Sequence, residues 1–116
     1  MAMKIKWNDD RVRGAATAVL LIGRDRLSRG KSSGLVRAAL AEYRADPDGY
    51  KRNKAAWPDA REPGPLADPR LIAAYRNLVA AVDALLLKFT RAKRHFNSVL
   101  ELDNALIEHL EMSGSR

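Results

Sequence analysis

The groups in this chain able to do chemistry are few and widely spaced. Gly30-Lys31-Ser32 matches the last three residues of a phosphate-binding loop, in which backbone amides and a lysine cradle phosphate oxygens. That loop also requires a glycine five positions before its second one, and this chain has Asp25 there. It must follow a strand as well, whereas the residues before Gly30 carry helical periodicity. A nucleoside-triphosphatase site is therefore excluded. The stretch Ser28-Arg29-Gly30-Lys31-Ser32-Ser33-Gly34 reads instead as a helix terminus and loop, with Ser32 or Ser33 capping the next helix. The first amides of that helix, with Lys31, suit a phosphate. Asp46-Pro47-Asp48-Gly49 begins like a calcium loop, but its proline lies between the carboxylates and no glutamate stands correctly downstream. It reads as a turn.

Proton-transfer and metal chemistry are equally thin. The two histidines, His95 and His109, are 14 residues apart, and the chain has no cysteine to join them in a zinc site. Nothing marks a serine as a nucleophile for either one. Helical ribonucleases of the HEPN class use an arginine followed by a histidine after four to six residues. In Arg91-Ala92-Lys93-Arg94-His95 the intervals are three and zero, and only Lys88 stands at a matching distance. We therefore read no catalytic centre, no metal and no cofactor, and expect a protein that is not an enzyme.

Charge is what remains. The 116 residues hold 21 Lys and Arg against 14 acids, a formal net charge of +7. All but Arg116 of these cations precede Ser98, so residues 1–97 carry 20 cations and 10 acids (+10), and the remainder one and four (−3). A basic body with an acidic end predicts a polyanionic partner for the body and head-to-tail attraction between copies. The candidate contacts with nucleic acid are Arg24, Arg26, Arg29 and Lys31 on the first hairpin, and Lys88, Arg91 and Arg94 on the long helix. Lys51, Arg52 and Lys54, set between Tyr50 and Trp57, complete the set, in a pattern that suits phosphate neutralisation with base stacking. Trp57 itself is expected to plug the core.

These side chains must be positioned by helices. The stretch from Asp68 to about Met112 organises the rest: Leu71, Tyr75, Leu78, Val82, Leu85, Phe89 and Phe96 recur at the spacing of one helical face, and Arg70, Arg76, Lys88, Arg91, Arg94 and His95 fall opposite. Asp68 caps its start and Pro69 fits the first turn. The capping box from Ser98 to Glu101 predicts a kink or short turn near residues 94–98, then a final helix with Val99, Leu102, Leu106 and Leu110 inward. An unbroken helix of about 44 residues is the alternative, spanning roughly 65 Å.

Earlier in the chain, Asn8 or Asp9 caps a first helix running to about Arg29. Its inner face is Val12, Ala16, Val19, Leu20, Gly23 and Leu27, and Ala15 and Gly23 allow a close neighbour. A second helix covers about Gly34 to Ala45, with Leu35, Ala39, Leu40 and Tyr43 inward. Residues 1–8 form a short arm resting on the bundle through Ile5 and Trp7, and residues 46–68 an irregular connection within one domain spanning 1–116. The fold class is all-α, a bundle of four to five helices with one long C-terminal helix or kinked helix pair. With no apolar leader and no run of membrane-spanning length, the reading is a cytoplasmic protein that enters no membrane.

A basic helical bundle without a base-reading motif, carrying these cations and an acidic end, resembles the small all-helical subunits of CRISPR effector ribonucleoproteins, assemblies of antiviral defence. The resemblance lies in size, helix content and charge. It implies contact of Arg24, Arg26, Arg29, Lys31, Lys88, Arg91 and Arg94 with RNA or single-stranded DNA backbone, sequence being left to base pairing. It also implies other ribonucleoprotein subunits as partners, and several copies of the protein in series. Two competing readings stay open. A helix-turn-helix DNA reader would have an unusually long turn at Gly30–Gly34 and only Arg37 and Arg44 to read bases. A helical adaptor or assembly protein would use the basic surface to meet an acidic protein.

Overall fold

The protein, represented by a computed structural model that describes residues 5–6, 10–31, 33–46, 49–91 and 95–114, is an all-α bundle. Among the described residues six helices run in chain order: α1 (Asp10–Ser28), α2 (Leu35–Arg44), α3 (Gly49–Ala55), α4 (Trp57–Ala60), α5 (Pro69–Arg91) and α6 (Val99–Gly114). Two short strands, β1 (Ile5–Lys6) and β2 (His95–Phe96), pair antiparallel, with Ile5 opposite Phe96 and Lys6 opposite His95. The amino-terminal segment was expected to be an arm without a strand partner. The segment between α5 and α6 supplies one.

The organising helix is α1, not the 68–112 stretch. Residues 14 to 20 are buried without interruption, so α1 has no solvent face over two turns. It is packed by α2, α3, α4 and α5 together. Gly14, Ala15, Ala16 and Ala18 make this possible, because small side chains let several helices approach one backbone. Thr17 is buried among them, its Oγ1 donating to the Arg13 carbonyl at 2.7 Å so that no polar group is left bare. Gly23 takes up the close approach expected of it: a Cβ there would lie 3.0 Å from Leu78 Cδ2 and 3.4 Å from Leu35 Cδ2.

Local sequence sets the ends of these helices. Gly30, at φ 77°, stops α1: its amide bonds the Leu27 carbonyl at 2.9 Å and the Lys31 amide reaches back to the Arg26 carbonyl at 2.9 Å. This is a Schellman closure, which favours glycine at the left-handed position. Gly34, at φ 62°, precedes α2 with no side-chain cap. Ser33 therefore does not cap this helix, and Ser32 lies outside the described residues. Asp68 caps α5 as expected, its Oδ1 accepting the Arg70 amide at 2.8 Å. At the start of α6 the Glu101 amide donates to Ser98 Oγ at 3.1 Å, and Glu101 Oε2 accepts the Asn97 amide at 3.1 Å. With α5 ending at Arg91 and β2 intervening, the unbroken long helix is overturned in favour of two helices and a turn.

The inner stripes match their periodicity closely. Tyr75, Val82, Leu85 and Phe89 of α5 are buried with Leu71 and Leu78 partly covered, and Leu102, Leu106 and Leu110 of α6 meet them in one core. The side chains of Ile5, Trp7, Phe96 and Val99 lie outside the described residues. Residues 46–68 depart from expectation. Much of that stretch is α3 and α4, held on α1, and its Ala60 and Leu66 are buried. Helices of seven and four residues are too short to show a period in sequence. No described helix is long and apolar enough to cross a membrane.

Candidate nucleic-acid interface

Ten cations were expected to face a polyanion, and the fold assigns them different roles. Arg24 is bent inward. Its Nη1 donates to the Glu62 carbonyl at 3.0 Å and toward the Asp59 carbonyl at 3.4 Å. Its stem lies over Gly64, where an added Cβ would sit 2.9 Å from Arg24 Cδ, and Gly64 has φ 70°. Beside it the buried Tyr75 hydroxyl donates to the Ala60 carbonyl. Burial pushes the phenol up to about 12, with the Arg24 charge opposing and the Glu62 charge adding to the shift. Arg24 and Tyr75 thus form a latch that fastens the end of α4 and its proline-rich exit onto α1 and α5. Arg24 is thereby engaged within the fold through Nη1.

Three more of the ten are held by carboxylates. Arg26 Nη2 meets Glu42 Oε1 at 2.5 Å, tying α1 to α2. Arg29 pairs with Asp25 one turn back on α1 at 3.3 Å. Arg52 pairs with Asp46. Lys54 is exposed and engaged in a contact within the fold. The side chains of Lys51 and Arg94 lie outside the described residues.

Lys31, Lys88 and Arg91 are the members of the set that stay exposed without an ion pair or hydrogen bond among the described residues. Lys88 Nζ stands 5.6 Å from the Phe89 ring centroid. Three cations outside the set, Arg13 on α1, Arg37 on α2 and Arg76 on α5, share that condition, Arg13 lying over the Trp57 ring. A sequence signal existed for Arg37 and Arg76: neither has an acid three or four positions away, whereas Arg29 has Asp25 at four. No such rule reveals the long-range pairs. Arg44 grips Asp103 of α6 through Nη2 to Oδ1 at 2.5 Å and Nε to Oδ2 at 3.2 Å, while stacking 4.8 Å from the Tyr43 centroid. Arg61 pairs with Asp83 at 2.6 Å. Arg44 is thereby engaged across the bundle with α6.

The outward side of α5 also differs from a uniform basic face. Its middle line holds Ala73, Ala80, Ala84 and Leu87, all exposed, and ends in Arg91, while Arg76 and Lys88 stand at its two margins. Arg76 and Lys88, twelve positions apart, are separated by about 120° around the helix and roughly 18 Å along it. Lys88 and Arg91 are less than one turn apart, about 4.5 Å along the axis. They form a compact pair at the C-terminal end, where the helix dipole favours positive charge.

Aromatic stacking on a strand receives no support from Trp57, which packs half-buried against the core with the Arg13 guanidinium 5.9 Å from its ring centroid. The Tyr50 side chain lies outside the described residues. His95 is exposed on β2, and His109 packs edge-on against Phe89 with ring centroids 5.0 Å apart. Among the described residues the site therefore offers dispersed, exposed cations suited to phosphate oxygens. Compared with known protein families, with curated proteins and with solved structures, the chain gives no match.

Proposed function

We propose that this protein is a non-catalytic structural subunit of a ribonucleoprotein, binding the backbone of RNA or single-stranded DNA without sequence preference and lying in several copies along the strand. The observation that carries this reading is the separation of roles among its cations: Lys31, Arg37, Arg76, Lys88 and Arg91 are exposed and unpaired among the described residues, in a chain of net charge +7. The small helical subunits of CRISPR effector complexes remain the nearest functional parallel, on size, helix content and charge. The test is fluorescence anisotropy with labelled single strands of several unrelated sequences across a salt series. Affinity should be alike for all of them and fall with salt. K88E/R91E should weaken every sequence equally, and equal binding by that variant would remove α5 from the interface.

One observation favours a second reading, a helical adaptor that meets an acidic protein. The outward α5 face is apolar along its middle line from Ala80 to Leu87, before Arg91, and a protein partner would cover that stretch where a nucleic-acid strand would not. Failure of RNA and heparin to bind, alongside capture of an acidic protein partner from the native host, would decide for the adaptor.

A further inference from the structure

Among the described residues two large apolar side chains stand exposed, Leu87 at 52% and Leu100 at 69%. They lie on helices of opposite charge. Helix α5 holds Arg70, Arg76, Lys88 and Arg91 against Asp83, a formal +3, while α6 holds Glu101, Asp103, Glu108 and Glu111 with no Lys or Arg, a formal −4. The outward face of α5 presents Ala80, Ala84 and Leu87 between Arg76 and Lys88. The outward face of α6 presents Leu100, Asn104 and Glu108.

These two faces do not meet within one molecule. Inside the bundle α5 and α6 already use their other sides on each other and on the core, through Phe89 against His109 and through buried Leu85, Leu102 and Leu106. We infer that the outward face of α5 receives the outward face of α6 from a second copy of this chain, Leu100 entering the shallow alanine surface beside Leu87 while Glu108 meets the Lys88 and Arg91 end. Small residues allow the second helix to approach closely, and the flanking charges fix which helix it is.

Charge also disfavours the symmetric alternatives. Two α5 helices crossing antiparallel about Ala80 and Ala84 bring Arg76 of each copy toward Lys88 of the other, and like charges so placed repel. Pairing α6 with α6 sets acid against acid. The contact is therefore heterologous: each copy offers one face of each kind, and copies add head to tail into a ring or an open row. The inference rests on the reading that copies line up in series, and does not depend on the kind of strand they line.

The natural absence of cysteine makes the test free of background. Leu87→Cys and Leu100→Cys, both at exposed positions, are purified separately, checked by circular dichroism and treated with a short bis-maleimide without nucleic acid. A mixture of the two should give a cross-linked dimer several-fold above either variant alone. Adding K88E/R91E to the L87C chain should reduce that yield several-fold, and E108K on the L100C chain should restore it. L87C cross-linking to itself as well as to L100C would overturn the inference, as would no dimer in the mixture at several hundred micromolar. Anisotropy with RNA on the unmodified chain reads the other proposal separately, so loss of one leaves the other standing.

Discussion

Arginines at the C-terminal end of α1 and outer cations of α5 carry the same charge and do opposite work. Arg24, Arg26 and Arg29 each have a fixed partner within the fold, two of them on another element. Arg76, Lys88 and Arg91 have none among the described residues. The difference follows from position. α1 is surrounded, so a long side chain leaving it runs along neighbouring helices and finds their carbonyls and carboxylates. α5 lies at the edge, and its outer side chains reach only water. Cations near a hub become structural, and cations at a rim stay available.

The strongest way to break this contrast is through the latch. Tyr75→Phe leaves the Ala60 carbonyl bare in the core and should cost about 1–3 kcal/mol, lowering Tm by roughly 5–10 °C in calorimetry. Arg24→Ala should cost about 1–2 kcal/mol with no more change in RNA affinity than loss of one distant charge produces. A strand-binding role for Arg24 would show as a salt slope that flattens in this variant. The same phenol gives a pH signature. Above pH 10 an unfolded tyrosine loses its proton while the buried one keeps it up to about 12, so stability falls across that window. Denaturant titrations should show that fall diminished in Tyr75→Phe.

Next in size is the rim. K88E/R91E should bind single strands about tenfold more weakly, and its salt slope should flatten by about 1.4 if two phosphate contacts are lost. Its Tm should fall by only a few degrees, the cost of reversing two charges at the helix C-terminus, because neither side chain has a carboxylate to lose. A large drop in Tm would show α5 to be as structural as α1. Smaller again is the half-buried Arg44–Asp103 pair, side chains 29% and 18% exposed, for which a double-mutant cycle should return a coupling of about 1 kcal/mol. Smallest is Arg29→Ala. It breaks an exposed one-turn ion pair and should move stability by less than about 0.5 kcal/mol, while freeing Asp25 to repel a nearby strand.

Much of the scaffold was legible because its signals are local. The α5 stripe from Leu71 to Phe89, the Asp68 cap, the Ser98 capping box and the Gly30 stop are each defined within about one to five turns of chain. What stayed hidden is non-local. Arg44 and Asp103 stand 59 residues apart, Arg61 and Asp83 22 apart, and no pattern in the sequence aligns them. The latch was hidden for the same reason, since Arg24 looks in sequence like any other flank residue. The central role of α1 was misassigned because its Ala-rich run has a weak period: a helix buried on every side has no polar face to define one. On α5 the sequence reading took Arg70, Arg76, Lys88 and Arg91 as one face and left out the exposed alanines among them. The exposed alanines run along the middle of that face toward Arg91, with Arg76 and Lys88 at its edges.

The burial of α1 also has a consequence for synthesis. This helix, apolar around its middle turns, is made before α2, α3, α4 and α5, which cover it. Leu78, which fills the space at Gly23, belongs to α5, and the β1–β2 ladder cannot close until His95 and Phe96 have emerged. Until α5 is made, α1 therefore has only its α2, α3 and α4 neighbours and keeps an apolar side bare, the kind of surface that chaperones hold and that aggregates when they do not. The bundle completes itself late, when the rim helix that carries the available cations arrives to close over the hub.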